Sequence, residues 1–283
     1  MTIDHDTVAG FACLFDGRRD AYGTGQGRWV REPVHLGLYA DHLNGRGAGL
    51  GIAPLRDSGL VYWTCIDLDE PDFEFAREVA GFLPGQTWIE RSRSGNAHVW
   101  AFFSLPVEGW VPRGVCLSAL EALGRKSVEV NPKQDRLQPG MLGNYVNLPY
   151  HGEDRPVVPG PGDKFAPVIE WDLAFQDWAG RLDQFVSLAQ TYANDPEDWR
   201  RRARALGIKS PEERPETAEF GTRDTVHDCA MYIYQRRESN PIMPGHRAKV
   251  LFSLAKMFLN WKAISAERAL ELMLEVNAAS PHP

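Results

Sequence analysis

Much is missing from this chain, and each absence removes a class of function. No C-x-x-C pair occurs among its four cysteines (Cys13, Cys65, Cys116 and Cys229), which stand far apart, so neither a zinc ribbon nor a disulfide framework is expected and a reducing cytoplasm fits. No apolar run approaches the length of a membrane span, and the opening Met1-Thr2-Ile3-Asp4-His5-Asp6 is acidic with no apolar leader, so no membrane partner is expected. There is no G-x-x-x-x-G-K-[ST] and hence no P-loop motor. Gly45-x-Gly47-x-Gly49-x-Gly51 follows no strand and opens no helix, so it reads as a loop and not as a dinucleotide fingerprint. Asp67-x-Asp69-Glu70-x-Asp72 lacks the glycine of an EF-hand loop. Positive charge is also in short supply: 31 Lys and Arg against 38 Asp and Glu leave a net charge of -7, which argues against a whole surface built to grip a polyanion but leaves room for a local basic groove. Neither internal repeats nor low-complexity tracts occur.

What is present is an ordinary globular composition, 43% hydrophobic and 24% charged over 283 residues, enough for one large domain and a smaller one. From residue 61 the periodicity predicts six elements: a strand over Val61 to Asp69, a helix over Pro71 to Leu83, strands over Thr87 to Arg91 and Ala97 to Phe103, a helix over Pro112 to Leu123, and a strand over Ser127 to Asn131. That order, β-α-β-β-α-β, is the split βαβ unit of RRM or ferredoxin-like modules. Right-handed crossovers then dictate an antiparallel sheet ordered 4-1-3-2. In that order the end of the first strand, the starts of the third and fourth, and the hairpin between the second and third meet at one edge. Those places hold Asp67 and Asp69, His98, Glu129, and the turn from Arg91 to Asn96. Alternation puts Ile66, Val99 and Val130 toward the helices and leaves the polar residues on the other face, where the aromatic and glycine-rich first 60 residues are expected to pack as an α/β layer with a cleft between.

Two aspartates side by side repel each other unless a cation lies between them. Three carboxylates on adjacent strands, Asp67, Asp69 and Glu129, can hold two divalent ions, and hard oxygen donors without thiols point to Mg²⁺ or Mn²⁺. Such an ion pair is suited to joining a 3′-hydroxyl to the α-phosphate of a nucleotide. The small-residue turn Ser94-Gly95-Asn96 offers N–H groups to a triphosphate, Arg91, Arg93 and Lys133 add positive charge, and His98 can donate to the same phosphates. The basic stretch Arg200 to Arg204 reads either as a solvated helix face or as a phosphate contact.

Beyond Tyr150 the sequence Arg155-Pro156-Val157-Val158-Pro159-Gly160-Pro161-Gly162 reads as a linker. A helix around Trp171 to Tyr192 follows, and residues 155–217 are expected to connect a core over 1–154 to a small helical bundle over 218–283. In that tail Leu251, Leu254, Ala255 and Phe258 form one predicted stripe, and Leu270, Met273 and Leu274, begun by Ser265 as N-cap, form another.

With these residues in view, the chain is similar to the archaeo-eukaryotic primase superfamily, in particular the primase-polymerases of phages, plasmids and related mobile elements. The resemblance spans about residues 11 to 151. It rests on Ile66-Asp67-Leu68-Asp69, on Glu90-Arg91-Ser92-Arg93-Ser94-Gly95-Asn96-Ala97-His98-Val99-Trp100, on Val128-Glu129-Val130, and on Asn131-Pro132-Lys133-Gln134-Asp135 leading to Gly143-Asn144-Tyr145-Val146-Asn147-Leu148-Pro149. Leu14 to Tyr22 and Asp41 to Gly45 add to it.

The resemblance implies template-directed synthesis of primers, and of longer DNA, from nucleoside triphosphates on single-stranded DNA in replication. Asp67, Asp69 and Glu129 would be metal ligands, with Ser94, His98, Lys133, Arg93 and Asn144 at the nucleotide. Apart from the resemblance, the glycine loop reads as flexible or template-facing. Residues 244 to 277 resemble the helical domain that follows such modules, with a fused or associated helicase next, and the pattern that stops at Asn277 to Pro283 reads as a fragment of a longer protein. Two departures stand out: the first half has no cysteine zinc module, and the third acid is Glu where many relatives have Asp. A gap-filling repair polymerase and a non-catalytic origin-binding module are the alternative readings.

Overall fold

The computed structural model describes residues 3–125, 127–138, 140–152, 154–161, 170–213, 234, 238, 251, 254–255 and 265–279. The chain divides into two units, residues 1–213 and 214–283. Among the described residues the first unit holds nine strands in two antiparallel sheets, together with seven helices.

The five-stranded sheet positions the chemistry. Its strands are β4 (Leu60–Asp67), β5 (Trp88–Arg91), β6 (Ala97–Glu108), β7 (Glu129–Asn131) and β9 (Val157–Pro159), in the order β7-β4-β6-β5-β9. The first four stand in the order that handedness dictates. Two helices, α3 (Phe73–Phe82) and α4 (Trp110–Ala122), follow β4 and β6 and cover one face, where Ile66, Val99, Ala101 and Val130 join Ala76, Val79, Val115 and Cys116 in one core. Alternation along the strands turns Trp63, Cys65, Trp88, Trp100 and Phe102 to the other face.

There they meet α1 (His5–Leu14), α2 (Leu36–Leu43) and the second sheet, formed by β1 (Tyr22–Thr24), β2 (Trp29–Val30), β3 (Leu50–Ile52) and β8 (Val146–Asn147) in the order β2-β1-β3-β8. Phe15 is the joint: its ring stands edge-on to Trp63, Trp100 and Phe102 at centroid distances of 6.0, 5.3 and 5.1 Å.

Several boundaries differ from expectation for identifiable reasons. Strand β4 ends at Asp67, so Asp69 lies just past the ladder; Leu68 N–H still reaches Ala97 O at 3.0 Å. Helix α3 starts after Pro71, because the Asp72 carboxylate accepts from Phe75 N–H at 2.9 Å as its N-cap, a contact worth about 1 kcal/mol. The predicted linker is the larger correction. Val157 to Pro159 pair with Trp88 to Glu90 as edge strand β9, and a proline is tolerated there because an edge strand has N–H groups that face no neighbour. The predicted long helix is two, α5 (Trp171–Ala179) and α6 (Leu182–Thr191), parted at Gly180, before α7 (Pro196–Ala205).

In the second unit, α8 (Ala266–Ala278) begins at the expected cap, Ser265, whose hydroxyl accepts from Arg268 N–H at 3.2 Å. Its buried residues are Ala269, Leu272 and Val276, while Leu270 and Leu274 are exposed, so the buried stripe is rotated from the predicted one. Phe258 and most of the expected bundle lie outside the described residues. No helix among the described residues is long and apolar enough to cross a membrane.

Candidate functional site: an acidic and basic cleft between two sheets

Register brings the acids together. Asp67 lies directly opposite Glu129 on one side and His98 on the other, so all three side chains leave the same face of the sheet. They open into a cleft of about 1080 Å³ between the two sheets. Of the residues expected at the site, Asp67, Asp69, Arg91, Arg93, Ser94, Asn96, His98, Glu129 and Lys133 line it.

The basic rim comes from a tight turn. Ser92 N–H donates to Asn96 O at 2.8 Å and Gly95 N–H to Ser92 O at 2.9 Å, which Gly95 allows through a φ of +87°. Gly95 therefore shapes the turn and is not itself among the lining residues. Arg93 and Ser94 are exposed at its tip. Two residues expected at the nucleotide are engaged by neighbouring side chains. The Arg91 guanidinium stacks over Phe175 at 4.5 Å and pairs with Asp172, and Asn144 stands away from the cleft lining, accepting from Gln134 Nε2 at 2.8 Å. Aromatic stacking and a local acid partner satisfy the arginine where it is.

His98 is the most constrained member. It is 7% exposed; its Nδ1 faces Glu90 Oε2 at 2.9 Å and its Nε2 faces Asp67 Oδ1 at 3.1 Å. Burial disfavours its charge, but the two carboxylates outweigh burial and push its pKa up to about 9, so at neutral pH it is an imidazolium that donates from both nitrogens. Glu90 is fully buried and also accepts from Trp100 Nε1 at 2.8 Å and Arg155 Nε at 2.7 Å. Burial would raise its pKa, yet Arg155 and His98 hold the carboxyl below the usual range.

The opposite wall has a histidine of the other kind. His42, 2% exposed, donates from Nε2 to Pro149 O at 2.7 Å and accepts Leu50 N–H on Nδ1 at 3.0 Å, and burial pushes its pKa down to about 4. That ring pins the end of the glycine loop, of which Gly47, Ala48 and Gly49 line the cleft. Tyr145 closes the same wall, lying so flat against Gly23 and Gly51 that a Cβ on either would stand 2.3 or 2.4 Å from its ring.

The donors available to a metal are carboxylate oxygens, which suit Mg²⁺ or Mn²⁺. Register and residue type fit such an ion. The side chains themselves are engaged as ion pairs, Asp67 with His98 and Glu129 with Lys133 Nζ at 2.5 Å, and among the described residues no three His, Cys, Asp or Glu groups are gathered as a metal cluster.

Sequence reasoning assigns no role to Glu90, which it takes only as part of the histidine motif, or to Arg155. Glu90 was legible as a lone charge in the apolar run Trp88-Ile89-Glu90, paired across the hairpin with His98. Arg155 was hidden by the proline-rich composition around it. The basic run on α7 does not reach the cleft: Arg200 pairs with Glu108, Arg201 with Asp198 and Arg204 with Glu197.

Residues 30–157 match the family model described as the archaeo-eukaryotic primase domain of the TOTE conflict system, a span that includes all three acids, His98 and its buried partner Glu90. No curated protein matches the chain.

Proposed function

From the premise that the chain carries an archaeo-eukaryotic primase domain over residues 30–157, we propose that it is a DNA-directed primase-polymerase of a mobile element, building its catalytic sheet on a ferredoxin-like βαββαβ module. The observation that carries this reading is the register that sets Asp67 opposite both Glu129 and His98 at the mouth of a cleft rimmed by Arg93, Ser94 and Lys133.

Asp67, Asp69 and Glu129 would hold two Mg²⁺ or Mn²⁺ ions. When bound, these lower the pKa of a 3′-hydroxyl and neutralise the leaving pyrophosphate. The remaining work falls to the chain itself. His98, charged and immobile, donates Nε2–H toward the mouth of the cleft, where it meets a phosphate oxygen with a charge-assisted hydrogen bond. The Ser94 hydroxyl, the turn's N–H groups and Arg93 receive the rest of the triphosphate tail. Lys133 neutralises Glu129 until a nucleotide arrives, and its ammonium is then within reach of the phosphates. The glycine loop, held by His42 on the far wall, presents backbone at close approach to the template or base, as a surface without side chains can.

The test is synthesis from nothing but template. The full chain, single-stranded DNA, Mn²⁺ and labelled nucleotides should yield short oligonucleotides without a primer, and Asp67→Asn should abolish them while circular dichroism stays unchanged. Extension only when an annealed primer is supplied would identify a gap-filling polymerase instead, and no synthesis under either condition would reject the reading.

A further inference from the structure

A carboxylate with no exposed surface is unusual, since an apolar side chain would fill the same volume without a desolvation penalty. Glu90 is such a group, and three donors converge on it: Arg155 Nε at 2.7 Å, Trp100 Nε1 at 2.8 Å and His98 Nδ1 at 2.9 Å. The last two share one oxygen, Oε2, which fixes the rotation of both rings about their Cβ–Cγ bonds. With Nδ1–H committed inward, Nε2 of His98 has one direction left, toward Asp67 and the cleft. Arg155 completes the arrangement from the other side. Its Nη2 also donates to Asn147 O at 2.8 Å, on strand β8 of the opposite sheet, so one guanidinium joins the anchor of His98 to the facing wall. It does so from a backbone held at a φ of +63°, a left-handed conformation that a residue bearing a Cβ adopts only at a steric cost.

We propose that Glu90 and Arg155 are positioning residues for the incoming nucleotide. Glu90 aims Nε2–H of His98 at the triphosphate, and Arg155 locks Glu90 in place while setting the spacing of the two walls. The inference rests on the nucleotidyl-transfer reading above and goes further, because it assigns nucleotide affinity to two side chains that touch the nucleotide only through another residue or through the cleft wall.

The experiment uses the full chain carrying Glu90→Gln, Arg155→Ala or Arg155→Lys, with two readouts. Steady-state extension of a primed template gives KM and kcat for the nucleotide. Glu90→Gln and Arg155→Ala should each raise KM about 10-fold, the size typical of losing the partner that orients a functional histidine, with a smaller change in kcat and none in template affinity. Arg155→Lys should recover part of the loss, since an ammonium restores charge beside Glu90 but cannot also span to Asn147. The second readout needs no nucleotide: in protein labelled with ¹⁵N-histidine, the His98 Nδ1–H resonance should be protected from exchange with water in the parent chain and lose that protection in Glu90→Gln. An unchanged KM in both Glu90→Gln and Arg155→Ala overturns the proposal. So does a loss of template affinity in step with KM and without rescue by lysine, which would mark a purely structural role. If the parent chain makes no product at all, the functional reading fails by itself, and an unprotected Nδ1–H in that chain would overturn the orientation of His98 separately.

Discussion

Acid should loosen the glycine-loop wall of the cleft through a single ring. At neutral pH His42 is an acceptor on one side and a donor on the other, and protonation would set an Nδ1–H against the Leu50 N–H that it now accepts. Burial, opposed in part by the Pro149 carbonyl, brings its pKa down to about 4, whereas in the unfolded chain it titrates near the ordinary 6.5. Between these values the unfolded state binds more protons than the folded one, so stability falls as pH drops from 6.5 to 4 and this group adds nothing further below that. At about 1.36 kcal/mol per unit, the whole window is worth about 3 kcal/mol, and about 2 kcal/mol is lost between pH 7 and pH 4.5. Many carboxylates titrate in the same range, so the useful quantity is a difference. Urea unfolding of the parent chain and of His42→Gln should show the variant less stable at pH 7, with the gap closing by about 2 kcal/mol at pH 4.5. A gap that stays constant across that range would refute a neutral, doubly bonded ring.

His98 carries the opposite sign. Its pKa is raised, so its stabilising contribution is complete below pH 6.5 and is lost as pH rises through about 9; the stability gap between the parent and His98→Gln should close on the alkaline side and stay flat below pH 6.5 until the carboxylate range, where Glu90, held low partly by His98, begins to titrate. Gly51→Ala would put a Cβ 2.4 Å from the Tyr145 ring and should destabilise the chain by about 1–3 kcal/mol, with chemical denaturation of the Gly51→Ala/Tyr145→Ala pair showing less than the sum of the single effects. Neutralising Arg200, Arg201 and Arg204 to Gln together should leave affinity for single-stranded DNA unchanged in a filter-binding titration, since each already has an acid partner on or beside α7.

The strand order and the meeting of Asp67, Glu129 and His98 were legible because both follow from local alternation and the handedness of crossovers, which a sequence states directly. Partners distant in sequence were not. Arg155 lies 65 residues from Glu90, and nothing in a proline-rich segment announces that it will add an edge strand and send a guanidinium into the core. The partners of Arg91 were hidden for a similar reason: Asp172 and Phe175, which engage its guanidinium, belong to a helix that periodicity located but could not dock. On α8 the periodicity was right and its phase wrong, because large exposed leucines outweighed the small Ala269 in the reading of which face is inward.

If Asp67 and Glu129 exchange His98 and Lys133 for divalent cations held together with Asp69, a titration of Mn²⁺ followed by electron paramagnetic resonance will register it. The parent chain should bind Mn²⁺, and Asp67→Asn and Glu129→Gln, each still folded, should lose that binding. Equal Mn²⁺ binding by the parent chain and both variants would contradict the exchange.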